Sequence, residues 1–209
     1  MNVITINQVN CKDCYKCVRY CPIKAIRVAN GHAEVDADRC LGDGNCLKVC
    51  PQHAKQVRSD LPAVLALLAS GRPVFASVAP AALGIFGAAL PRVITALRML
   101  GFTRVEETTR TAAAVARACA AHDPAEGPSI TTACPAVVEL VCTYYPQYAH
   151  RLAPVPSPMT AHARLLREEH GDAAAVVFIG PCIAKKGDSQ ANGIDAALTF
   201  DELRAWLRQ

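Results

Sequence analysis

Seven of the eleven cysteines fall between Cys11 and Cys50, in two tight groups. The first reads CKDCYKCVRYCP from Cys11 to Pro22, and the second CLGDGNCLKVCP from Cys40 to Pro51. Laid in register, Cys40, Cys46 and Cys50 fall on Cys11, Cys17 and Cys21, and Asp43 stands opposite Cys14. Thiolates this dense are either disulfide halves or metal ligands. The start, MNVITINQVNCKDC, has no basic segment followed by a long apolar run, so a secretory signal is not expected and metal ligation is the reading.

The spacing Cys11-x2-Cys14-x2-Cys17-x3-Cys21-Pro22 resembles the run that holds clusters in bacterial two-cluster ferredoxins. That resemblance implies one [4Fe–4S] cluster on Cys11, Cys14, Cys17 and the distant Cys50. It implies a second on Cys21, Cys40 and Cys46, with Asp43 facing the remaining iron. Structural zinc is the plainer alternative, since it too accepts four thiolates. A carboxylate is a harder ligand than a thiolate and suits an iron–sulfur corner less well. The second site is therefore expected to be occupied with a labile corner at Asp43, open to a [3Fe–4S] form.

These loops need elements to carry them. VITI at Val3–Ile6 reads as a short strand, and IRVANGHAEVD as a hairpin turning at Asn30-Gly31. SDLPAVLALLASGR reads as a connecting helix started by Ser59 or Asp60. Beyond Arg72, strands PVFASV, TRVEET, SITT and AAAVVFIG alternate with helices, the last of them capped by Thr199. The expected fold class is an α+β ferredoxin-like dicluster domain over 1–57, a connecting helix over 58–72, and an α/β domain with a mostly parallel sheet over 73–209. With 52% hydrophobic and 19% charged residues, the 209-residue chain can bury a real core. Its Lys and Arg are scattered, which argues against a nucleic-acid partner. The uncharged stretch Pro73–Leu90 contains Pro80, Gly84 and Gly87 and reads as a buried strand followed by a turn, not a membrane span. A soluble, cytoplasmic protein is expected.

In such sheets ligands sit beyond the carboxyl ends of strands, where the pattern places Cys134 after SITTA and Cys182 after VVFIGP. TTACPAVVELVC, PVPSPMTAHARLLR and FIGPCIAKKGD together resemble the catalytic domain of the iron-only [FeFe] hydrogenases, and SVAPA and LRMLGFTRVEET look like that family's first βαβ unit. The resemblance implies a six-iron hydrogen-activating cluster, with Cys134 and Cys182 matching two of the four cysteines that hold its cube. Lys185 matches the lysine that donates to a cyanide ligand of the two-iron subsite, a role suited to an ammonium. Neighbouring Lys186 reads as solvated, Cys119 and Cys142 as buried apolar cysteines, and His122, His150, His162 and His170 as surface residues.

Several positions depart from that family's pattern, and two of the four cube ligands are missing from the match. Ala133 stands where fast members carry a proton-relaying cysteine, the helix from Thr109 to His122 has no glutamate, and Gly180 replaces a methionine usual beside the subsite. No glycine-rich stretch with two further cysteines occurs before Gln209, so a partial domain is expected, either a fragment or a degenerate relative. Loss of the relay resembles the sensory branch, in which hydrogen is split slowly and heterolytically and the message passes to a signalling domain or chain. Electrons would pass through the ferredoxin-like clusters to a donor or acceptor protein. The contrasting expectation is an electron-transfer or regulatory module without enzymatic activity.

Overall fold

The computed structural model describes residues 3–123 and 127–209. The amino-terminal unit runs β1 (Ile4–Ile6), α1 (Lys16–Tyr20), β2 (Ile26–Ala29), β3 (His32–Val35), α2 (Asn45–Val49) and β4 (Lys55–Val57). Its strands form two antiparallel pairs, β1 with β4 and β2 with β3. The hairpin turns at Asn30 and Gly31 with φ of 50° and 81°, the double left-handed geometry that Asn-Gly permits at low cost. Cysteines are part of the core here: Cys17, Cys21, Cys40 and Cys46 pack with Val3, Ile4, Ala25, Ile26 and Ala33.

The remainder runs α3 (Leu61–Ala69), β5 (Val74–Val78), α4 (Ala81–Phe86), α5 (Leu90–Met99), β6 (Arg104–Glu107), α6 (Thr109–Ala120), α7 (Pro135–Tyr144), α8 (Pro158–His170), β7 (Ala175–Gly180), α9 (Lys185–Ala191), β8 (Ala196–Thr199) and α10 (Phe200–Trp206). Four strands make one parallel sheet in the order β6-β5-β7-β8. Every residue of β5 and β7 is buried, as central parallel strands covered on both faces require. The chain leaves β5 toward β6 and then returns past β5 to lay down β7. The gap between the carboxyl ends of β5 and β7 is therefore the topological switch point, where such sheets bind ligands.

Some expectations give way to the structure. SITT is not a sheet strand: Ile130 makes only an isolated bridge to Leu152. The apolar stretch from Pro73 is a buried strand as expected, but helices follow it, not a simple turn. The helical stretch Ala81–Met99 has the length and hydropathy of a membrane span, with 11% of that window buried. It is broken at Gly87, whose φ is 49°, and it leaves Leu83 and Ile85 exposed. His162 is fully buried instead of lying on the surface. It falls on the apolar stripe of α8 with Met159, Ala163 and Leu166, and its Nδ1 lies 2.8 Å from Ser77 Oγ. Burial pushes its pKa below 6.5, with Glu106, 3.6 Å from Nε2, pulling the other way. Cys119 is buried, but Cys142 is exposed.

Lys186 overturns its reading as a solvated residue most sharply. It is 0% exposed, and its ammonium lies 2.9 Å from Glu202 and 3.6 Å from Asp60 while donating to the Ala197 carbonyl. One side chain thus ties the start of α3, strand β8 and helix α10 together. Asp60 takes the cap position of α3, but its carboxylate serves Lys186, Arg58 and the Ala197 N–H; the Leu61 N–H donates to Ser59 Oγ instead. Thr199 caps α10 in a reciprocal box with Glu202. Burial pushes the Glu202 carboxyl up, but bonds from Thr199 and the Lys186 ammonium outweigh it and hold the pKa low. Lys186→Met removes the ammonium between buried Asp60 and half-buried Glu202, each of which keeps other donors, and is expected to cost about 1–3 kcal/mol, read as a lowered denaturant midpoint. An unchanged midpoint would remove this network from the account of the fold.

Candidate iron–sulfur and hydrogenase-like sites

The two cysteine loops repeat each other in backbone as well as sequence. Asp13 and Tyr15 have φ of 49° and 54°, and their register partners Gly42 and Gly44 have φ of 68° and 77°. Tyr15 and Gly44 are the left-handed residues that open α1 and α2. This shared geometry sets Asp43 where Cys14 sits in the first loop, and both residues are exposed, whereas Cys17, Cys21, Cys46 and Cys50 are buried. The repeat extends to the sulfur-directed bonds: the Ala25 N–H donates to Cys21 Sγ and the Ala54 N–H to Cys50 Sγ, each at 3.3 Å.

The loops bring the candidate ligands within electrostatic reach of one another. Cys17 feels the charge of Cys50 and Cys11, and the Cys14 thiol reaches Gln52, two residues past Cys50, at 3.7 Å. Cys40 feels Asp43 and Cys21, and Cys46 feels Cys40, Asp43 and, across the two candidate sets, Cys17. Burial pushes the Cys17 and Cys40 thiols up and the Cys46 thiol to about 12. Burial also acts on Cys50, but N–H groups of Ala54, Lys55 and Gln52 outweigh it and hold that thiol below 9.0. Buried sulfurs that resist standing alone as anions, yet receive N–H donors, suit a cationic core that displaces their protons. Among the described residues no three Cys, His, Asp or Glu side chains converge on a point that would hold a single ion. The fit to clusters rests on the backbone repeat and the donors aimed at sulfur.

The second candidate site lies at the switch point. Cys134 occupies the extended cap position of α7, with Pro135 beginning the helix, and is exposed. It follows the irregular segment at Ile130, not a sheet strand. Cys182 is half-buried in the loop after β7, and Lys185 opens α9. The Lys185 ammonium lies 5.5 Å over the Phe178 ring and donates to the Ala133 carbonyl at 3.3 Å. Burial pushes its pKa down, while Asp188 and, more weakly, Cys182 and Cys134 pull it up. Beside it is a cavity of about 200 Å³ walled by Thr109, Ala112, Ala133 and Phe178, among others, with Lys185 its one charged lining residue among those described. A side-chain carbon at Gly180 would come within 2.6 Å of the Phe178 ring and 3.0 Å of Ala79, so Phe178 already fills the space a methionine there would need.

The two sites touch. Ile183, next to Cys182, packs on the core of the cysteine loops, and its Cδ1 lies 3.1 Å from where a side-chain carbon on Gly44 would stand. Tyr144 donates to the Arg39 carbonyl at 2.9 Å, and Arg58 to the Lys186 carbonyl at 3.1 Å. Ile183 is not legible as a site residue in the sequence, because its partner Gly44 is far away along the chain and nothing local marks the contact. Lys55 is a second functional candidate that the sequence reading passes over, although the repeat register, which sets it opposite Ile26, is a signal that could have found it.

Fold and sites together define an iron–sulfur electron-transfer protein in which a ferredoxin-like unit leans on an α/β domain. Residues 72–209 match the iron only hydrogenase large subunit, C-terminal domain, and residues 10–54 match a 4Fe-4S dicluster domain. The chain belongs to the iron-only hydrogenase family. One subunit of an ion-translocating oxidoreductase complex from Methanosarcina acetivorans is 40% identical over 57 residues, covering 27% of this chain and 22% of its own length. Ketoisovalerate oxidoreductase subunit VorC from Methanothermobacter marburgensis is 35% identical over 54 residues, covering 22% of this chain and 68% of its own. A solved [FeFe]-hydrogenase, studied for oxygen inactivation that begins at the 2Fe subcluster of its H cluster, superposes with a TM-score of 0.61 at 22% identity. That match covers 72% of this chain and 48% of the other, so the chain spans about half of that hydrogenase and about a fifth of the ion-translocating subunit.

Because cysteines make up so much of the amino-terminal core, iron removal should unfold that unit selectively. Anaerobic chelation is expected to open the amides of residues 3–57 to hydrogen exchange while those of β5 and β7 stay protected. Equal loss of protection in both halves would contradict separate cores.

Proposed function

We propose that this chain is a hydrogen-linked redox protein of the sensory type, acting in the cytoplasm, with a hydrogen-activating cluster seated at Cys134 and Cys182 and two clusters on the loops. The observation that carries this reading is Lys185 at the switch-point cavity, bonded to the Ala133 carbonyl beside Cys134 and three residues after Cys182. In this reading Cys11, Cys14, Cys17 and Cys50 ligate one [4Fe–4S] cluster, and Cys21, Cys40 and Cys46 the second, with Asp43 at its open corner. The bound hydrogen-activating cluster supplies the splitting of hydrogen. Lys185 offers an ammonium to an anionic ligand at the cavity, and the apolar wall keeps water out. Ile183 against Gly44 holds the second loop next to the Cys182 loop, which suits electron passage between the sites.

The sensory assignment draws on what the wall lacks. Ala133 and Ala112 line the cavity, and α6, reading TRTAAAVARACA, presents no carboxylate, so these groups move no proton quickly. Slow turnover suits a sensor, in which occupancy carries the message to a signalling partner. The same observation favours a second reading, a non-catalytic electron-transfer module that serves a redox complex. The deciding experiment uses the full-length gene product matured anaerobically. Infrared bands from carbon monoxide and cyanide ligands, with slow hydrogen–deuterium exchange lost in Cys182→Ala, are expected. Full iron on the loops without bands or exchange would leave only the second reading.

Asp43 gives a separate test. Asp43→Cys is expected to keep the second cluster at four irons after brief air exposure, where the unaltered chain develops a three-iron spin-resonance signal. Identical signals and iron counts from both forms would remove the labile corner.

A further inference from the structure

The loop repeat breaks at one buried position. After each Cys-Pro the chain runs four residues to a core position, Ile26 in the first copy and Lys55 in the second. Ile26 is 5% exposed and Lys55 6%, so a lysine stands where the fold asks for an apolar side chain. Its backbone is fixed by pairing of β4 with β1, where Lys55 lies opposite Ile6. Its ammonium is buried and has no hydrogen-bond partner among the described residues. An unpaired buried ammonium is costly and persists only where something nearby carries the opposite charge. The groups that feel its charge are sulfurs: Cys17 and Cys50 in one candidate ligand set and Cys46 in the other.

We propose that Lys55 is the built-in counter-cation of the cluster sites, its ammonium facing the thiolates of the first cluster and reaching toward Cys46 of the second. This rests on the reading that the loops hold iron–sulfur clusters. A cube with its thiolates is a net anion, and one electron makes it more negative, so a fixed cation stabilises the reduced form and raises the potential. The electron comes from an external donor protein or from dithionite. The step is an electron transfer with no proton moved. Lys55 acts through space and is not a ligand. The first copy, with Ile26 in that place, gives its neighbouring Cys21 no such cation, so the charge enters the repeat from one loop alone.

The test is a redox titration of the iron-loaded full chain followed by spin resonance, comparing Lys55→Met, Lys55→Arg and the unaltered protein. Lys55→Met is expected to retain its iron and to shift the first cluster downward by about tenfold in the reduced-to-oxidised ratio at fixed potential, ~59 mV for one electron. Lys55→Arg keeps the charge and is expected to restore the potential. A fully loaded Lys55→Met with an unmoved potential overturns the inference while leaving the clusters in place; an unaltered chain that takes up no iron overturns the reading beneath it. A second measurement needs no variant. Lysine carrying the heavy nitrogen isotope at Nζ should show a nitrogen coupling in pulsed spin resonance of the reduced protein, and its absence counts against Lys55 even if Lys55→Met loses iron.

Discussion

Burying sulfur is the constraint on which this molecule is built. The amino-terminal unit is too small to assemble a generous hydrocarbon core, and it fills the space with Cys17, Cys21, Cys40 and Cys46. Thiols in such a place resist ionisation, as the upward shift at Cys46 shows. The backbone answers with N–H groups aimed at sulfur at the ends of both loops. Left-handed residues before α1 and α2 make that aim repeatable. The unit is folded around a chemistry that the polypeptide alone does not complete.

The larger half solves a different problem. A parallel sheet with fully buried central strands needs helices on its faces and leaves its carboxyl edge for function. Adjacent lysines of α9 take opposite surroundings. Lys186 turns inward to a carboxylate pair, and Lys185 turns toward the cavity. One lysine locks the scaffold that aims the other.

Much of the fold and of the cluster loops is legible in the sequence because spacing encodes it. The cysteine register, the Asn30-Gly31 turn, the Thr199 cap and the uniformly apolar runs of β5 and β7 each carry a local physical signature. What is not legible depends on contacts distant along the chain. Lys186 looks like any surface lysine until Asp60 and Glu202 arrive from other elements. His162 reads as a surface residue when its polarity is weighed above its place on the stripe Met159, Ala163, Leu166. SITT has strand-like composition, but Ile130 finds only Leu152 to pair with. Gly180 reads as a lost methionine, and the structure adds the reason no side chain fits: Phe178 has taken the room.

The closeness of Ile183 to Gly44 carries a consequence for how such a chain can change. With φ at 77°, and with the Ile183 methyl 3.1 Å from where a side-chain carbon would stand, any larger residue at position 44 is strained and must press the isoleucine back slightly. The junction between the halves is thus set in part by two residues far apart along the chain, a backbone on one side and a methyl on the other.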